Sequence, residues 1–189
     1  MLVKIQAFLH LTHYLVHPMM LLVVITSIPM LYTQWFFDHL AYPIMIFTML
    51  CLATLGPSCM YLFSQRILYR DWKRRIKYLP FLMCLGTGIA VNNTKAVLEA
   101  FFGMKSGFIR TPKYGIKKKG DRWKDKRYSI PLNSVSILEF FLGLYSLTSL
   151  FMFLFFSKYL VSPFLFIYTA GFFYVFFLSV KHGYGKTKQ

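Results

Sequence analysis

Four stretches of this chain are too long and too apolar for the core of a soluble domain. They run through residues 15–31, 42–63, 135–156 and 162–180. A helix needs about 20 apolar residues to cross roughly 30 Å of hydrocarbon. Inside lipid, every backbone N–H and C=O must also be bonded within the protein. The expected architecture is therefore all-α, with four membrane-spanning helices in a lipid bilayer. The composition agrees: 57% of the 189 residues are hydrophobic and 15% are charged, where soluble domains carry about 25% charged residues.

The net charge of +16 is distributed unevenly. Arg66, Arg70, Lys73, Arg74, Arg75 and Lys77 form one basic segment, and ten more Lys and Arg lie between Lys105 and Arg127. Both adjoin apolar spans, which points to anionic lipid beside the membrane and not to nucleic acid. Residues 32–41 hold no Lys or Arg, and Lys158 is the one cation between the last two spans. With four crossings, both basic segments and the tail with Lys181, Lys186 and Lys188 fall on one face. The positive-inside bias makes that face cytoplasmic, with both termini on it, in a plasma or inner membrane. No cleavable signal peptide is expected, because the N-terminal segment lacks an A-x-A-like site.

A fifth apolar stretch, residues 79–103, bears on this count. A crossing there would put the ten-cation segment on the opposite face from the first. Its uninterrupted apolar part ends at Val91 and contains Gly86 and Gly88. Beyond it, Asn92, Lys95 and Glu99 form a polar stripe opposite Val97, Leu98, Phe101 and Phe102, the pattern of an interfacial helix on the cytoplasmic surface. Residues 1–14 read the same way. The expected organisation is an interfacial helix (1–14), a helix pair (15–63), a basic cytoplasmic segment (64–134), a second helix pair (135–180) and a cytoplasmic tail (181–189). The basic segment holds an interfacial helix (79–103) and a long gating-type loop (104–134) rich in Gly and Pro.

No catalytic constellation is complete. The six acids include no D-x-D and no paired carboxylates at helical spacing, and there is no Gly-rich phosphate cradle. His10, His13 and His17 share a helix face, but no nearby carboxylate or cysteine completes a metal site, which leaves them as interfacial polar residues. Cys51, Cys59 and Cys84 lack metal-type or redox-type spacing. Glu139 is the acid that falls inside a span. It is either a channel-facing group or an interfacial acid paired with nearby lysines. In the loop, Pro112 holds Thr111 extended and presents its hydroxyl beside Lys113, an arm able to reach a phosphate.

The stretches KIQAFLHLTHYLVHPMMLL (4–22), GIAVNNTKAVLEAFFG (88–103) and SGFIRTPKYG (106–115), with the order of spans, resemble the C-terminal membrane region of family 2 glycosyltransferases of the processive, cellulose-synthase-like type. The resemblance implies that Phe108, Thr111 and Lys113 belong to a gating loop that closes over a nucleotide sugar. It also implies that the spans help form a polysaccharide channel. Arg110 stands where that motif has valine. The family's catalytic aspartates, D-x-D metal site and Q-x-x-R-W motif are absent, so this chain has no catalytic residue or cofactor of its own. A catalytic domain in cis or trans would supply the divalent cation (Mg or Mn), and the chain reads as a fragment, a truncated product or a separate subunit. The alternative is a non-enzymatic multi-spanning protein whose basic loops bind anionic lipid or an acidic partner.

Overall fold

The computed structural model describes residues 2–36, 42–53, 55–104 and 134–183, which are helical with no strand among them. Helix α1 (Leu2–Thr12) passes through one 3-10 turn (His13–Leu15) into α2 (Val16–Phe36). The boundary expected at residue 15 is thus a local tightening, and Val3–Thr33 is one apolar helix of 31 residues. At about 1.5 Å per residue it is roughly 46 Å long, more than the hydrocarbon needs, so it tilts or projects. Helices α3 (Tyr42–Ala53) and α4 (Leu55–Leu68) supply the second candidate span, Met45–Leu68. Short α5 (Trp72–Ile76), then α6 (Leu79–Gly88) and α7 (Ala90–Phe101), follow; α8 (Ser134–Phe155) and α9 (Ser162–Gly183) give the third and fourth spans.

Two polar contacts set the direction of α8. Tyr145 Oη donates to the Ile25 carbonyl at 2.6 Å, and Ser149 Oγ donates to Ser27 Oγ at 2.7 Å. Further along, Leu31 and Phe153 meet in one buried cluster. Residue numbers rise together on both helices, so α2 and α8 are parallel. A chain that crosses once in α2 and returns through α3–α4 must start α8 from the face where α2 began. Helices α6 and α7 are long and apolar enough to span only if taken together as one bent pair.

The segment expected as one surface helix is two, bent by 43° at Ile89. Thr87, Gly88, Ala90 and Val91 at the bend are buried, whereas Phe101 and Phe102 at the far end are exposed. Thr87 Oγ1 donates to the Cys84 carbonyl at 2.9 Å and reaches the Ile167 carbonyl on α9 at 3.3 Å. A Cβ on Gly88 would run into the Gly171 carbonyl and Val175, and one on Gly171 into Thr87 and the Cys84 carbonyl. Gly171 lies mid-way along α9, so α6 seats on the middle of a span. Close approach of glycines is how membrane helices gain contact where lipid is as apolar as they are.

Helix α7 ends at Gly103, whose φ of 62° suits glycine. The Met104 N–H then bonds the Glu99 carbonyl at 2.9 Å, a Schellman closure. Ser157, at φ 58°, closes α8 similarly, with the Lys158 N–H on the Phe153 carbonyl at 2.8 Å. Outward faces of the spans carry large apolar side chains such as Phe141, Phe151, Phe155 and Phe166, which lipid can solvate.

Two glycines on α6 should respond oppositely. Gly88→Ala must push α6 off α9 and should lower stability by about 1–3 kcal/mol. Gly86, which faces open space, should gain roughly 0.5–1 kcal/mol as Gly86→Ala. Reversible unfolding in detergent measures both, and equal responses would contradict the α6–α9 seat.

Candidate functional site

A hydroxyl buried in a membrane helix can bond the carbonyl one turn earlier. Ser146 Oγ bonds the Leu142 carbonyl at 2.6 Å and Thr169 Oγ1 the Leu165 carbonyl at 2.8 Å. Ser27 Oγ donates to the Val24 carbonyl while accepting from Ser149. Three buried polar atoms have no hydrogen-bond partner among the described residues: His17 Nδ1, Thr94 Oγ1 and Glu139 Oε2. They sit on α2, α7 and α8, the helices brought together by the parallel seam and the bend.

The three lie on helices that pack against one another. His17 Nε2 lies 2.9 Å from Asn93 Nδ2, which joins α2 to α7. With the amide donating, Nε2 accepts and Nδ1 carries the ring proton. The α2–α8 register carried back to position 17 arrives at residues 137–139, where Glu139 lies. Val91, next to this part of α7, shares a buried cluster with Val24 and touches the layer that contains Val135 and Leu142. Tyr168 and Phe172 of α9 belong to the same cluster. The junction therefore offers a donor at His17, an acceptor at Glu139 and a hydroxyl at Thr94 that is both, beside aromatic rings. Water or a hydroxylated ligand can satisfy such a set; an apolar one cannot.

The stripe of α8 behind Glu139 is small and polar. Ser136, Glu139, Gly143, Ser146 and Ser149 are all buried, while Ile137, Leu138 and Phe141 face outward. Glu139 itself is only 3% exposed. Asn93 also lines a groove of about 590 Å³ between α1 and α7, with Phe8, Thr12, Leu15, Val97 and Phe101.

Phe108, Thr111 and Lys113 lie outside the described residues. The elements on either side of them in sequence, α7 and α8, carry Thr94 and Glu139. On the histidine face, His17 turns inward to Asn93 while His13 is exposed. Among the described residues no three His, Cys, Asp or Glu side chains come together to hold a metal ion. Asn93 and Thr94 are functional candidates that the reading of α7 by its polar stripe passed over. Their signal was three polar residues, Asn92 to Thr94, following a glycine-broken apolar run. The i, i+3, i+7, i+10 spacing of Ser136, Glu139, Gly143 and Ser146 was the corresponding signal on α8.

No protein-family model matches this chain, and no curated protein or solved structure matches it.

A carboxyl buried without a protein partner lowers stability. Glu139→Leu should therefore raise the unfolding free energy in detergent by about 1–3 kcal/mol, read as a higher midpoint. A lower midpoint would mean that the carboxyl is held by a partner inside the fold.

Proposed function

We propose that this chain is the membrane channel-and-gate portion of a glycosyltransferase. That enzyme moves sugar from a nucleotide sugar to a growing polysaccharide, and this chain is not catalytic without a catalytic domain in cis or trans. One observation carries the reading. The helix leading into the Phe108, Thr111 and Lys113 segment is wedged against a polar interior that offers paired donors and acceptors. A segment that closes over a nucleotide diphosphate needs a cation and a hydroxyl, which Lys113 and Thr111 supply by type. A channel for sugar needs hydroxyl-bonding groups beside aromatic faces, and the layer of His17, Thr94, Glu139, Tyr168 and Phe172 has that chemistry. Helix α7 would link the two, since motion of its C-terminal end is transmitted to Asn93 and Thr94. On this reading the basic segments and both termini face the cytoplasm of a plasma or inner membrane. The divalent cation belongs to the catalytic domain, and no step here runs through it.

A second reading has its own support. Around α5, Arg66 and Lys73 lie 5.9 and 5.8 Å from the Trp72 ring centroid, and the Arg75 guanidinium lies 3.7 Å from that of Tyr69. Such a collar of cations and aromatics suits an anionic lipid surface. A non-enzymatic membrane protein that binds anionic lipid or an acidic partner would also carry it.

The two readings separate at Lys113. In the assembled enzyme, Lys113→Ala should lower nucleotide-sugar turnover about tenfold or more while membrane insertion is unchanged. Thr111→Ala should lower it less. Under the second reading, exchanging Arg110 and Lys113 changes nothing, because charge is kept. Full turnover in a correctly inserted Lys113→Ala protein would remove the gating role.

A further inference from the structure

The groove between α4 and α6 belongs neither to the polar junction nor to the loop. Helices α4 and α6 touch where Ser58 Oγ donates to Met83 Sδ at 3.5 Å, and α5 lies between them in the chain. Between that contact and α5 they leave a groove of about 480 Å³, within the roughly 300–1,000 Å³ of small-ligand sites. Its walls are Tyr61 and Leu62 on one side and Leu82 and Leu85 on the other, with Gln65 and Arg75 also lining it.

We propose that this groove binds one anionic phospholipid. One acyl chain lies against Leu62, Leu82 and Leu85, and the phosphate takes the terminal N–H groups of Arg75. The apolar walls match hydrocarbon, and the cationic end matches phosphate. Residues 66–77 carry six cations against the one acid, Asp71, so the field at that end favours an anion. Arg75 is also oriented in advance. Its Nε donates to Asp71 Oδ1 at 3.0 Å and its guanidinium lies over Tyr69, which leaves the terminal amino groups as the remaining fork for phosphate oxygens. The hydrogen bond from Arg75 holds the Asp71 carboxyl below the usual carboxylate range. The pair is therefore fully formed above that range and is lost only as pH falls through the lowered value. Trp72 and Tyr78 bracket this level with rings suited to the headgroup depth.

This site does not rest on the glycosyltransferase reading. It also differs from general attraction of basic loops to lipid, in which any cation of the segment would serve. Native mass spectrometry of the full chain from micelles with equal phosphatidylglycerol and phosphatidylcholine tests it. One phosphatidylglycerol should remain bound. Arg75→Gln and Leu82→Gln should each weaken its retention about tenfold or more. Arg70→Gln removes the same charge outside the groove and should leave retention within about twofold. Excess glycerol phosphate, which has the headgroup without chains, should not displace the lipid. If Leu82→Gln fails to insert, Leu62→Gln on the facing helix reads the same contact. Equal losses in Arg70→Gln and Arg75→Gln, equal retention of both lipids, or displacement by glycerol phosphate would overturn the proposal. So would loss of an acidic protein partner in Arg75→Gln with lipid binding intact.

Discussion

The parallel seam between α2 and α8 governs the rest of the architecture. Its contacts are modest: a tyrosine hydroxyl on a backbone carbonyl and a buried serine pair. Such hydrogen bonds stabilise membrane bundles by about 1 kcal/mol each or less. Their consequence is topological. Two parallel spans separated by one return helix start from the same face. The apolar stretch between residues 79 and 103 is a pair of helices bent by 43°, its bend buried and its α7 end exposed, seated on the middle of α9 by Gly88 and Gly171.

Beside that bend lies the polar interior. In water, a helix hides its apolar face; in lipid, packing can favour the opposite. Helix α8 turns Ser136, Glu139, Gly143, Ser146 and Ser149 inward and its phenylalanines outward. Small residues allow close approach, and hydroxyls find carbonyls on their own helix. Glu139 Oε2, Thr94 Oγ1 and His17 Nδ1 do not find partners among the described residues, and an ionisable group buried inside a span is a candidate for a functional site. Because α7 brings Asn93 and Thr94 to this layer, a load on the segment after Gly103 and the occupancy of the junction share one element.

Much of the fold was legible because spanning length and apolarity are strong signals. Residues 42–63, 135–156 and 162–180 lie within a few residues of the observed candidate spans. The N-terminal boundary was less legible, since Thr12 to Val16 carry nothing that stops a helix, and α1 runs on through a 3-10 turn. For residues 79–103 the glycines correctly weakened a single helix, and the polar stripe on α7 told which side is apolar but not which residues the protein itself buries. Phe101 and Phe102 are exposed, and Ala90, Val91 and Thr94 are buried. Moments built on apolarity assume that the apolar side is hidden, an assumption that fails beside lipid. Glu139 stood out as an acid inside a span, whereas the His17–Asn93 contact joins residues 76 apart in sequence and left no local trace.

In the proposed topology the bent α6–α7 pair does not cross, so that the basic segments before and after it share a face. Single cysteines at Arg74→Cys and Lys118→Cys, with Cys51, Cys59 and Cys84 replaced by serine, can be labelled in sealed vesicles by a membrane-impermeant thiol reagent. Labelling of both from the same side is the predicted result. Labelling of the two from opposite sides would mean that α6–α7 crosses, and would contradict the parallel seam together with the four-span architecture built on it.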